Sequence, residues 1–328
     1  MASVGTFSDA ALEQRVSDGV ERVEHLLAQS VHSPEPLVAE ASSHLLQAGG
    51  KRFRPLLVVL CAEFGDPTAA DIVPSAVVVE LTHLATLYHD DVMDEAAMRR
   101  GAPSANARWD NSVAILVGDF LFARASSLVA DLGPEAVRIQ ADTFARLVHG
   151  QLRETLGPGP DDDPLQHYLS VVADKTGSLI ATAARFGAMM SGAGAQVEAT
   201  LLEFGERIGV AFQLADDIID IASDSDDSGK VPGTDLREGV PTLPTLLVSS
   251  SPADGDERLR HLLSGPILDE DDVQWAIRAL REHPAMDEAR AYVRAEADAA
   301  RALLEKLPAG PARDALDEIC TRSTERLG

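Results

Sequence analysis

Apolar residues recur at three- and four-residue steps along almost the whole chain, as in Leu81, Leu84, Ala85 and Tyr88. That period belongs to helices with one buried face. Period-two runs bounded by turn dipeptides are scarce, which excludes a large sheet. The spacing predicts helices over about 9–31, 35–48, 55–65, 70–92, 105–131, 134–156, 164–191, 195–223, 242–250, 256–263, 270–282 and 284–326, the last broken at Pro308. Three polar stretches interrupt them: Gly157–Pro164, Asp224–Gly239 and Ser249–Gly255. Long helices joined by short turns describe one all-α bundle, a single domain over residues 1–328.

Charge narrows the function. The 28 Lys and Arg against 53 Asp and Glu leave a net charge of −25. A phosphate polymer would be repelled over most of such a surface, so no nucleic-acid partner is expected. Small anions remain possible wherever cations cluster locally. Cys61 and Cys320 form neither a CxxC nor a disulfide framework. The first residues carry no basic start and no apolar run of signal length. No apolar stretch is expected to reach the roughly 18 residues that span a bilayer. A reducing, cytoplasmic setting is the expectation.

Two aspartate-rich segments stand out. His89-Asp90-Asp91-Val92-Met93-Asp94 and Gln213-Leu214-Ala215-Asp216-Asp217-Ile218-Ile219-Asp220 both read DDxxD, and each finishes a strongly apolar helix. Residues four apart share a helix face, so Asp90 points with Asp94 and Asp216 with Asp220. Carboxylates at a helix C-terminus repel one another and oppose the macrodipole, so the placement is locally unfavourable twice over. A merely solvated acidic face explains one such segment more easily than two. Hard oxygen donors in this number suit Mg²⁺, which keeps waters and shares its shell with phosphates. The implied site has two acidic helix ends facing across a cavity, bridged by Mg²⁺ and a diphosphate.

The cations cluster too. Gly49-Gly50-Lys51-Arg52-Phe53-Arg54-Pro55 sets three cations in a turn between helices, and Arg99-Arg100-Gly101 directly follows the first acidic cluster. Lys175-Thr176-Gly177 and Ser228-Gly229-Lys230 add two lysines suited to phosphate. Any one of these, taken alone, is ordinarily surface charge. GGK is not a Walker loop, because the preceding spacing is wrong and no strand leads into it.

Taken in order, GGKRFRP, HDDVMDE…RRG, DKTGSL, FQLADDIID and GK…DLREG…PTLP resemble the trans-isoprenyl diphosphate synthase, or polyprenyl synthetase, family over about Gly49 to Pro244. The resemblance implies the isoprenoid synthase fold, an all-α helical bundle around a central cavity and usually a homodimer. It implies Mg²⁺, three ions with the diphosphate bound, and two substrates, isopentenyl diphosphate and an allylic diphosphate. Asp90 and Asp94 would bind metal from the first motif and Asp216 from the second, with Asp91 and Asp220 orienting the shell. Arg99 would grip the allylic diphosphate together with Lys175 and Lys230. Gly50, Lys51, Arg54, His83 and Arg100 would hold isopentenyl diphosphate. Gln213 and Thr176 would lie beside the allylic carbons and stabilise the developing cation. Catalysis would rest on Asp90, Asp94, Lys175 and Asp216. Where many relatives carry a second flap lysine, this chain has Val240.

Ala85 and Thr86, the positions five and four before Asp90, are expected to set chain length. Small residues there leave the cavity open, which implies a medium- to long-chain product that would partition into membrane. Phe120, Phe122 or Phe144 could floor the cavity instead. Three other readings compete. A short-chain synthase differs only in the depth of the tail site. A class I terpene cyclase has no need of a second DDxxD or of GGKRFRP. A non-catalytic subunit of a heteromeric synthase would carry degraded motifs, whereas both are intact. Glu80 and His83 also form the ExxH spacing of di-iron bundles, but the chain has no second ExxH.

Overall fold

The computed structural model describes residues 7–222, 232–251 and 255–325. Its helices are α1 (Ala10–Ser30), α2 (Pro36–Gln47), α3 (Phe53–Ala62), α4 (Ile72–Met93), α5 (Ala105–Arg108), α6 (Asn111–Asp131), α7 (Pro134–Leu156), α8 (Pro164–Val172), α9 (Ser178–Met190) and α10 (Ala195–Ala222). They continue as α11 (Thr234–Glu238), α12 (Leu243–Ser250), α13 (Glu257–Leu262), α14 (Glu270–Glu282), α15 (Pro284–Leu304) and α16 (Pro311–Glu325). Extended structure among the described residues is confined to a two-stranded hairpin, β1 (Met98–Arg99) and β2 (Ala102–Pro103). The chain is all-α, as its periodicity implied.

Two predicted helices are subdivided, and the break expected at Pro308 is present. The span 105–131 breaks at Trp109–Asp110, where the Asp110 carboxylate accepts from Val113 N at 2.8 Å and caps α6. The span 164–191 is helical throughout, but Ala173–Gly177 is a π-helical turn between α8 and α9. The last span ends at Leu304 and restarts at Pro311, with proline at the favoured first helical position.

The described residues group into two compact units. The first holds residues 1–144, 179–205 and 305–316. Its centre is α4, buried from Ser75 through Ala85 except at half-buried His83, and such a helix must be apolar nearly all round. It packs along α6 and against α1 and α3. The α4–α6 approach depends on Gly118, where a Cβ would stand 2.3 Å from His89 Nε2. On α6, Ala114, Val117, Gly118, Leu121 and Ala125 are buried at helical spacing, whereas Ile115 and Leu116 are exposed. One expectation fails here. By length and composition α6 could cross a membrane, although Asp119 and Arg124 lie within it.

The second unit holds residues 145–178, 206–304 and 317–328. In it α12 packs on α8 and α15, and α14 packs on α15. The Arg281 guanidinium donates to the Ile221 carbonyl at 2.8 Å, satisfying an orphan acceptor at the end of α10. Backbone at the start of α11 covers the same end: Gly233 N donates to Asp220 O at 3.0 Å and Asp235 N to Asp220 Oδ2 at 3.4 Å.

Candidate active site

In the first unit, Asp90 and Asp94 end α4, with Asp94 as its C-cap and its N–H donating to Asp90 O at 2.8 Å. Asp94 is exposed and Asp90 half-buried, while Asp91 between them is fully buried. The Asp91 Oδ1 accepts from Arg99 Nε at 2.5 Å, and its Oδ2 is buried without a hydrogen-bond partner. Burial pushes the Asp91 carboxyl above the ordinary carboxylate range, against the pull of Arg99.

Arg99 and Arg100 arrive by a short route. Arg100 and Gly101 both have positive φ, 53° and 76°, between β1 and β2, which is the pattern of a type I′ hairpin turn. The turn carries Arg100 to the GGKRFRP loop, where its Nη1 donates to the carbonyls of Leu45, at 3.0 Å, and Gly49. In that loop Gly49 and Arg52 also have positive φ. A Cβ at Gly50 would stand 2.8 Å from Arg52 Nη1 and 3.0 Å from Arg100 Nη1, so only glycine lets both guanidiniums close in. The Arg52 side chain, 9% exposed, is held by Glu24 and by Glu80 at 3.1 Å. Lys51 is exposed and Arg54 half-buried at the start of α3.

His83 lies two turns before Asp90 on the same face of α4. Burial, and then Arg54, Arg100, Arg52 and Arg99 in that order, hold its pKa well below the ordinary imidazole value. Histidine among guanidiniums is therefore a neutral donor, and the cluster is a ready anion site. Glu80, the other half of the ExxH spacing, accepts from Arg52 Nη1 at 3.1 Å. Thr86 shares the face of Asp90 and is half-buried, whereas Ala85 points away and has no accessible surface. Two of the candidate aromatic floor residues stand near the same helix: His89 and Phe122 have ring centroids 5.8 Å apart, and Phe122 and Phe144 4.4 Å.

In the second unit, Asp216 and Asp220 are half-buried in the last two turns of α10, and Asp217 is buried. The Asp217 Oδ1 accepts from Gln213 Nε2 at 3.0 Å and its Oδ2 accepts from the Tyr168 hydroxyl. The Gln213 Oε1 accepts from the Thr176 hydroxyl at 3.0 Å. Burial pushes Asp217 up to about 7, with the Tyr168 and Gln213 hydrogen bonds opposing it. Thr176 and Lys175 both lie in the π turn, whose Asp174 accepts from Arg146 Nε at 2.9 Å. The Lys175 ammonium is paired with Glu154. Val240 is exposed behind Gly239, and Lys230 lies outside the described residues.

Sequence reasoning thus missed Tyr168, Asp217 and Arg52 as parts of the sites. The spacing signal for Tyr168 was present, since seven residues before Lys175 is two helical turns. Among the described residues, no group of three His, Cys, Asp or Glu forms a finished metal cage. Paired accessible carboxylates with a buried orphan oxygen beside them fit a hard ion that completes its shell with water and phosphate.

The chain is all-α, with two acidic helix ends and an arginine-lined anion site. A family model described as polyprenyl synthetase matches residues 35–280. The chain belongs to the polyprenyl synthetase family, and as such it is a prenyltransferase that makes polyprenyl diphosphates. It is 51% identical over 321 residues to a nonaprenyl diphosphate synthase of Mycobacterium tuberculosis, covering 98% of this chain and 96% of that one. A dimethylallyltranstransferase of the same organism is 41% identical over 95% of each chain. Among solved structures, geranylgeranyl pyrophosphate synthase from Corynebacterium glutamicum, complexed with calcium and isoprenyl diphosphate, superposes with a TM-score of 0.89. It is 45% identical and the match covers 99% of this chain and all of that one.

Proposed function

We propose that this chain is a Mg²⁺-dependent trans-polyprenyl diphosphate synthase that condenses isopentenyl diphosphate head to tail onto an allylic diphosphate, yielding a medium- to long-chain product. One observation carries the residue assignments: Asp90, Thr86 and His83 share one face of α4, and the arginine cluster surrounds the His83 end of that face. Metal ligands, tail channel and anion site are then read off one helix. Asp90 and Asp94 hold Mg²⁺ from the first motif, and Asp216 from the second. The Corynebacterium enzyme, complexed with calcium and isoprenyl diphosphate, supports a hard divalent ion in this role. When bound, Mg²⁺ neutralises the allylic diphosphate and makes it a better leaving group.

The chain's own residues do the rest. Arg99, Lys175 and Lys230 add fixed positive charge where the departing diphosphate gathers negative charge. Gly50, Lys51, Arg54, Arg100 and neutral His83 hold isopentenyl diphosphate by its phosphates, leaving its alkene free. The allylic C1–O bond breaks with both electrons leaving on diphosphate. The alkene then forms the new C–C bond to C1, and a proton leaves C2 to the departing diphosphate. Thr176 and Gln213 present oxygen to the allylic cation between these events, in a site closed to water.

Function as a homodimer fits the apolar face that α6 and α7 leave exposed at Ile115, Leu116, Val137 and Phe144. A shorter product is the second reading, favoured by the geranylgeranyl synthase at 45% identity. Chromatography of products formed from each allylic primer with isopentenyl diphosphate and Mg²⁺ separates the readings. Elongation to chains of about thirty carbons or more supports the proposal, arrest at twenty selects the short-chain reading, and consumption of primer alone refutes both.

A further inference from the structure

We propose that Tyr168 and Asp217 are positioning residues for the ionisation step, acting through Gln213 and Thr176. This rests on the prenyltransferase reading above. Asp217 sits between two carboxylates of the second motif but faces the other way. It is 6% exposed and spends both oxygens inside the protein, one on Gln213 Nε2 at 3.0 Å and one on the Tyr168 hydroxyl.

The consequence is a fixed polarity. In its ionised state Asp217 only accepts hydrogen bonds, and it then turns the NH₂ of the Gln213 amide inward. The Gln213 carbonyl must then face the other way, where it accepts from the Thr176 hydroxyl at 3.0 Å. Every proton in the chain Thr176–Gln213–Asp217–Tyr168 is directed toward Asp217. What the chain leaves at its Thr176 end is oxygen lone pairs, from the Gln213 carbonyl and the Thr176 hydroxyl. An oriented dipole of that sign, in place before reaction, favours a developing allylic cation over the neutral substrate. Were Gln213 free to flip, it would offer N–H to the cation instead.

Tyr168 has a distinct part. It lies on α8, seven residues before Lys175, and its hydroxyl fixes the second oxygen of Asp217. The hydrogen-bonded chain thereby joins α8, the π turn and α10 at one point. The π turn is what brings Thr176 into line, since an extra residue in the turn rotates all that follows.

The test uses the full-length enzyme with farnesyl diphosphate, isopentenyl diphosphate and Mg²⁺, in steady-state and single-turnover kinetics. Asp217→Asn can donate to Gln213 and so flips it; its turnover is expected to fall about a hundredfold, and that of Tyr168→Phe about tenfold. KM for both diphosphates and the Mg²⁺ half-saturation are expected to stay within about threefold of wild type. The double variant Asp217→Asn/Gln213→Glu returns oxygen acceptors to the Thr176 end with the 213–217 hydrogen bond reversed, because the introduced amide then donates to a carboxylate that still accepts from Thr176. It is expected to recover turnover about tenfold over Asp217→Asn. Should Asp217→Asn fail to fold, as judged by thermal melting, Tyr168→Phe decides alone. The proposal is overturned if KM or metal requirement changes while turnover holds, if only melting temperature changes, or if the double variant recovers nothing. A wild-type enzyme that forms no elongated product overturns the prenyltransferase reading itself, and this proposal with it.

Discussion

Ala85 and Thr86 are neighbours in sequence, and a phenylalanine at each should fail in a different way. At 100° per residue, Thr86 lies about 40° around α4 from Asp90 and Ala85 about 140°. Thr86 is also about 6 Å below Asp90 along the axis, at 1.5 Å per residue. Its side chain is half-buried, and its hydroxyl bonds only the His83 carbonyl of its own helix, at 2.8 Å. Little is lost by replacing it, and a ring there would stand under the metal-binding end of the helix where the tail begins its descent. Ala85 has 0% exposure, so a ring at that position displaces packed neighbours and should cost about 1–3 kcal/mol of stability. Thr86→Phe should therefore move the product ladder to shorter chains while the first condensation proceeds at near wild-type rate. Ala85→Phe should lower the thermal midpoint by several degrees with its ladder largely intact. Product chromatography and melting curves on the same preparations read both effects. A Thr86→Phe enzyme with an unchanged longest product, or an Ala85→Phe enzyme with wild-type melting and truncated product, would refute the facial assignment.

Asp90→Ala or Asp216→Ala should cost several orders of magnitude in turnover with folding retained, checked by circular dichroism beside the elongation assay; near-normal turnover would end the metal assignment. Glu80→Ala should cost about 3 kcal/mol in urea unfolding, because it leaves Arg52 buried with only Glu24, itself 41% exposed, to balance it. His83 gives a pH signature without substrate. Its folded pKa lies below the unfolded value of 6.5, so as pH falls through 6.5 the unfolded chain takes up a proton that the folded one refuses. Stability should then drop by up to about 1.4 kcal/mol per pH unit between pH 6.5 and 5, and His83→Gln should flatten that slope. Equal slopes in the two proteins would refute a neutral His83.

Much of this was legible in the chain because helices advertise themselves locally. The apolar periods of α4 and α10, and the i, i+4 aspartates at their ends, require only knowledge of 3.6 residues per turn. What was not legible depended on long-range partners or on small departures from that period. The π turn at Ala173–Gly177 leaves no mark on a hydrophobic pattern, because the segment is helical on both sides. Nothing in GGKRFRP says that Arg52 answers to Glu24 and Glu80. The hairpin at Arg100–Gly101 is spelled only by two residues with positive φ, one of them an arginine that ordinarily avoids that region.

The two DDxxD motifs share a logic that their sequences state but that only burial makes readable. In each, the first and last aspartates retain accessible surface, and the middle one turns about 100° into the protein. Asp91 is 0% exposed and Asp217 6%. A carboxylate cannot be buried without donors, so each motif must be answered by a partner elsewhere in the chain. The answers differ: a guanidinium from Arg99 for Asp91, and neutral donors from Tyr168 and Gln213 for Asp217. A cation on the first anchor cancels its charge and fixes Arg99 beside the acidic end of α4. Neutral donors on the second give orientation instead, because Asp217, when ionised, dictates which way Gln213 must face. The middle aspartate in each motif therefore faces into the protein. It fastens a helix end that its own outward charges would otherwise loosen, and through its partner it sets one further group of the site.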